Sequence, residues 1–105
     1  MMVPSIIKLA ACICSQDGII SSEEVEYMKK KINSFDSNFD VEKVDDLIEE
    51  FFNEAKDISE YCKLLSKDYD TKNILDFCFK SASADGLDPK ENTAYLKAKE
   101  YLSMD

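Results

Sequence analysis

Residues 6–14, IIKLAACIC, carry apolar side chains at every position except Lys8. On a helix, Ile6, Ile7, Leu9, Ala10, Ala11, Ile13 and Cys14 cover nearly the whole circumference. A helix that is apolar all round must be buried by neighbours on every side. Pro4 suits a first helical position, so the spacing predicts a helix from about residue 4 to 16 enclosed by a shell of other elements. Two glycines and two prolines in 105 residues leave little turn material for that shell, which favours few, long segments. Strand-type alternation is absent and 3.6-residue spacing recurs, so the fold class is all-α. An apolar fraction of 45% suits one globular core, and the chain reads as a single domain over residues 1–105.

Five further helices are expected. The second, at about 22–34, has an inward stripe of Val25, Met28 and Ile32, with Phe35 just beyond. FDSNFD (35–40) is a polar connection. The third, at about 41–56, carries Val41, Val44, Ile48, Phe51 and Ala55, widened by Leu47 and Phe52. DISE (57–60) is a capping box that opens the fourth helix, about 58–68, packed through Ile58, Tyr61, Cys62 and Leu65. The fifth, about 71–84, carries Ile74, Leu75, Phe77, Cys78, Phe79 and Ala82. The sixth, about 89–103, carries Tyr95, Ala98, Tyr101 and Leu102, with Leu96 at its flank.

The first and fifth helices echo each other. With a shift of 68, SIIKLAACICSQDG lies over NILDFCFKSASADG, matching Ile6 to Ile74, Leu9 to Phe77 and Asp17-Gly18 to Asp85-Gly86. Two helical hairpins, 1–2 and 5–6, are therefore expected to pack around central helices 1 and 5. Beyond the glycines two registers stay open: matching the caps requires a shift of 67, whereas Tyr27 and Tyr95 pair at 68.

Local chemistry accounts for most of the repeated turn. Gly18 and Gly86 can take the left-handed conformation that closes a helix. Ser21 with Glu24, and Asp88 with Glu91, have the spacing of capping boxes. Ile20 and Val25 suit a hydrophobic staple, and Pro89 a first helical position. The pattern from Asp17 to Glu24 also resembles the second half of a twelve-residue calcium loop. Its first half fails, because Ile13 and Ser15 fall at the first two ligand positions, and the second copy has Ser81 and Ser83 there. Asp17 and Asp85 remain the letters that capping does not require.

The net charge is −9, and ten acids against two lysines in residues 36–60 supply nearly all of it. Such a surface repels phosphate backbones, and the chain has no arginine for bidentate base or phosphate contacts. Nucleic acid is thus not an expected partner; a basic protein or a divalent cation suits the field. Cys12, Cys14, Cys62 and Cys78 fall on apolar stripes without zinc-type spacing. Reduced, buried thiols imply a cytoplasmic setting. LAAC (9–12) resembles a lipoprotein cleavage site, but Pro4 and Lys8 interrupt the apolar run before it, and no membrane insertion is expected. With no histidine and no Gly-rich phosphate loop, catalysis is not expected either.

AACICSQDGIISSEEVEYM and FKSASADGLDPKENTAYL resemble the two halves of the TerB-like (tellurite-resistance protein B) family, and with the helices between them the resemblance spans most of the chain. It implies an all-helical, non-enzymatic interaction module of the kind found in tellurite and stress-response systems and in a membrane-anchored DnaJ-like co-chaperone. It also implies that acids of the two turns bind a divalent ion (calcium, magnesium, manganese or zinc). By motif match these acids are Asp17, Glu24, Asp85 and Glu91. A rival expectation comes from the charge run: a small acidic inhibitor, an immunity protein or nucleic-acid mimic, that neutralises a basic toxin or nuclease. Its partner-binding residues would be Glu42, Asp45, Asp46, Glu49 and Glu50 on the third helix.

Overall fold

The computed structural model describes residues 3–65 and 70–103. Six α-helices account for the regular structure: α1 (Val3–Cys14), α2 (Ser22–Lys31), α3 (Lys43–Glu54), α4 (Ile58–Leu65), α5 (Thr71–Ala82) and α6 (Pro89–Ser103). Among the described residues there is no strand. This is the all-α bundle expected from the spacing. The end assigned to the fourth helix, 66–68, lies outside the described residues.

α1 is the axis of the bundle. Every residue of it but Pro4 is buried, and α3, α4, α5 and α6 all pack against it. α5 lies along α1 and takes α2 and α6 on its flanks, burying Ile74, Leu75, Phe77, Cys78 and Ala82. Unlike α1, it keeps Lys72, Asn73, Asp76 and Lys80 in solvent. The hairpins α1–α2 and α5–α6 thus meet through their apolar first helices. Aromatic rings extend the seam: Phe77 meets Phe35 edge-on at 5.6 Å, and Phe79 meets Tyr95 at 4.9 Å.

Lys8 sits inside the apolar helix and is only 8% exposed. Its Nζ donates to Glu50 Oε1 at 3.0 Å and to Glu54 Oε2, and Tyr61 Oη donates to the other oxygen of Glu54 at 2.8 Å. A buried cation needs such partners, because an unpaired one costs several kcal/mol of lost hydration. The network ties α1 to α3 and α4.

The ends of the helices depart from the spacing in four places. α1 tightens into a 3₁₀ turn at Ser15–Asp17, and α2 into another at Ile32–Ser34. α3 begins two residues late, after a turn in which Asp40 Oδ1 accepts the Glu42 N–H at 3.0 Å. It also ends early, because Ala55 takes the left-handed conformation at φ 57° and is exposed. Ala55 therefore terminates the helix and does not continue its apolar stripe. Phe52, Leu96 and Tyr101 are also largely outside the core, at 52%, 52% and 42% exposed.

Candidate functional site

The two turns close as their composition requires. Gly18 and Gly86 have φ of 96° and 101°, where a Cβ is disfavoured. Their N–H groups return to Ser15 O at 2.8 Å and Ser83 O at 3.0 Å. In the first turn Ser21 Oγ accepts the Glu24 N–H at 3.2 Å, and Glu24 Oε1 accepts the Ser21 N–H at 2.8 Å. In the second, Asp88 Oδ1 accepts the Glu91 N–H at 2.8 Å, and Glu91 Oε1 accepts the Asp88 N–H at 3.3 Å. Equivalent caps are 67 residues apart, which settles the register: the second turn is one residue shorter.

That register brings the two box glutamates together at the seam between the hairpins. Glu24 is 2% exposed and Glu91 4%, and the Glu24 carboxyl lies close enough to act on Glu91. Burial first, and the charge of Glu24 after it, raise the Cys14 thiol of α1. Glu24 Oε2 is buried without a hydrogen-bond partner. Burial, then the adjoining Glu24 carboxyl, pushes Glu91 up to about 8.

Asp17 and Asp85 are not part of this cluster. Both are exposed, and Asp17 Oδ1 accepts the Ile19 N–H at 3.3 Å within its own turn. Of the four acids drawn from the motif, the structure joins the glutamates and leaves the aspartates in solvent. Calcium and magnesium take about six or more oxygen ligands and structural zinc about four. Among the described residues, no three Asp, Glu or Cys side chains lie together as a metal cage.

The five acids assigned to α3 also divide. Glu42, Asp46 and Glu49 recur at helical spacing on the side opposite Val44, Ile48 and Phe51, and all three are exposed. Asp45 and Glu50 lie on the two flanks. Asp45 pairs with Lys29 of α2 at 2.7 Å, and Glu50 pairs with Lys8. These two acids hold cations of α1 and α2, and the other three form an outward stripe with no ion pair among the described residues.

All four thiols are buried. Burial is the main cause that pushes Cys12 up to about 11 and Cys62 to about 12, and it raises Cys14 and Cys78 further. A thiol in this state is a packing group, not a nucleophile or metal ligand.

A capped, glycine-closed turn repeated on two hairpins around one buried helix is the arrangement that the sequence resemblance implied. The sequence model described as tellurite resistance protein TerB matches residues 4–105. The chain belongs to the TerB family. No curated protein and no solved structure matches it significantly. The match covers both hairpins and the α3–α4 segment between them, so the acidic α3 lies within the TerB domain. No helix among the described residues is long and apolar enough to cross a membrane.

The convergence of Glu24 with Glu91 is the site feature that sequence reasoning reached only conditionally. The capping spacing named both residues, but whether the two turns share one end of the bundle depends on how the hairpins pack.

Proposed function

We propose that this TerB-family chain is a non-enzymatic cytoplasmic module that binds a basic protein partner through the outward acidic stripe of α3. One observation carries the reading: Glu42, Asp46 and Glu49 are exposed together and make no ion pair among the described residues, whereas their neighbours Asp45 and Glu50 are engaged by Lys29 and Lys8. Unpaired carboxylates of one sign on a rigid helix steer an oppositely charged partner and fix its register. Phe52, half exposed on the Asp45 flank, adds an aromatic contact of the type enriched in interfaces. The absence of histidine and the burial of all four thiols remove imidazole and thiolate chemistry, which supports the non-enzymatic reading. Family membership supports a stress-response or defence setting, and neutralising a basic toxin or nuclease is one form such binding takes.

Affinity capture with three forms of the chain tests this. Asp17→Ala/Asp85→Ala should retain the partner held by the wild type, and Glu42→Lys/Asp46→Lys/Glu49→Lys should lose it. Retention by the α3 variant, with loss by the turn variant, would move the contact surface to the turns.

A further inference from the structure

We propose that the cleft between the start of α4 and the outer face of α6 binds an extended acidic segment of a protein partner. Two hollows of about 430 and 270 Å³ adjoin there and share Gln16, Ile58 and Lys97 as a common wall. Three lysines stand along them: Lys90 in the smaller hollow, Lys97 at the junction and Lys56 in the larger one. All three are exposed, and none forms an ion pair among the described residues. On a chain of net charge −9, such a row reverses the sign of the surface around it.

The acids at hand are committed elsewhere. Asp57 lines the larger hollow, but its Oδ1 caps α4, accepting Ser59 Oγ at 2.6 Å and the Glu60 N–H at 3.1 Å. Glu54, just before the turn that carries Lys56, is bonded by Lys8 and Tyr61. Salt screens exposed charges beyond about 8 Å, so inside the cleft the lysines outweigh the net charge of the chain. Charge complementarity therefore selects a negative occupant.

Shape and floor describe that occupant further. From Lys90 to Tyr101, α6 rises roughly 16 Å, the length of about five extended residues. An extended segment sends alternate side chains to one face, so its first, third and fifth residues enter the cleft. Acids at the first and fifth positions meet Lys90 and Lys56, with Lys97 between them. An apolar third residue lies over half-buried Ile58 and against Tyr101, whose ring the fold leaves 42% exposed. Gln16 Nε2 donates to Cys12 O at 2.8 Å, which leaves its carbonyl oxygen to accept a backbone N–H of the segment. Phe51, on the inward side of α3 opposite Glu42, Asp46 and Glu49, forms part of the floor. The cleft and the acid stripe thus use different sides of α3.

Fluorescence anisotropy of the full chain with the peptide Asp-Ser-Phe-Ser-Asp, carrying a dye at its N-terminus and an amide at its C-terminus, tests this. The wild type should bind it saturably, with amide NMR shifts centred on Gln16, Ile58 and Lys97. Lys56→Ala/Lys97→Ala should weaken binding about tenfold, the loss of two exposed ion pairs. Lys72→Ala/Lys99→Ala, on lysines that line a different hollow, should bind as the wild type does, and Lys-Ser-Phe-Ser-Lys should not bind. Absence of saturable binding at millimolar peptide would overturn the proposal, as would equal losses in the two lysine pairs or shifts centred outside the cleft. A dimer in sedimentation that Lys56→Glu/Lys97→Glu dissolves would give the cleft to a second copy and overturn it as well.

Discussion

Lys8 of α1 and Glu54 of α3 form an ion pair across the centre of the bundle, 46 residues apart in sequence. Its cation stands on a helix that is otherwise apolar, and Glu54 takes a second bond from Tyr61. Three helices are therefore held by one network whose lysine has almost no access to water.

Removing that lysine should cost more than its charge alone. Lys8→Ala deletes a buried stem and leaves Glu54 half-buried without its cation, a loss of about 2–3 kcal/mol in chemical denaturation. Lys8→Met keeps the stem and should cost about half as much. Equal costs for the two variants would show that packing plays no part.

The same pair sets the acid limit of stability. The hydrogen bond from Lys8, then that from Tyr61, holds Glu54 below the usual glutamate range. A group lowered in the fold contributes above its unfolded value, and that contribution is lost as pH falls through the folded one. Wild-type unfolding midpoints should fall below about pH 4, and Lys8→Met should flatten that limb.

Backbone conformation gives opposite expectations at three helix ends. Gly18 and Gly86 have open space where a Cβ would stand, so Gly18→Ala and Gly86→Ala cost only the left-handed conformation, about 1 kcal/mol each. Ala55 already bears that cost at φ 57°, and Ala55→Gly should stabilise by about 0.5–1 kcal/mol. Thermal unfolding of the three variants checks all the signs.

The thiols should be inert in the folded chain. With Cys12 at about 11 and Cys62 at about 12, and Cys14 and Cys78 more strongly raised, little thiolate exists at neutral pH. A thiol-reactive dye should label the native protein slowly and all four sites after unfolding. Fast labelling of one native cysteine would contradict its burial.

What the sequence disclosed was whatever depends on near neighbours. The apolar α1, the three capping boxes and both left-handed glycines depend on residues a few positions apart, and all are found. Ala55 was misread because its apolar character fits the α3 stripe, whereas the chain needed a helix end there before the Asp57 cap. Phe52 and Tyr101 were read as inward because their residue type outweighed their edge positions. Lys8 had only been a flaw in an apolar run, since its acids lie 42 and 46 residues away. The same distance problem hid the site. Asp17 was singled out because capping left it unexplained, yet its carboxylate serves its own turn. The residues that capping did explain, Glu24 and Glu91, are the ones that meet.

Burial of Glu91 also sets the alkaline limit. Glu91 is raised, first by burial and then by Glu24, to about 8. A carboxyl raised in the fold contributes most below its unfolded value, roughly 4.3, and loses that contribution as pH climbs through the folded one. The most direct measurement is the unfolding midpoint of wild type and Glu91→Gln from about pH 5 to pH 9. The wild type should lose stability steadily up to about pH 8, while Glu91→Gln stays nearly level and overtakes it. Two curves that run parallel across that range would contradict a Glu91 carboxyl held protonated by burial.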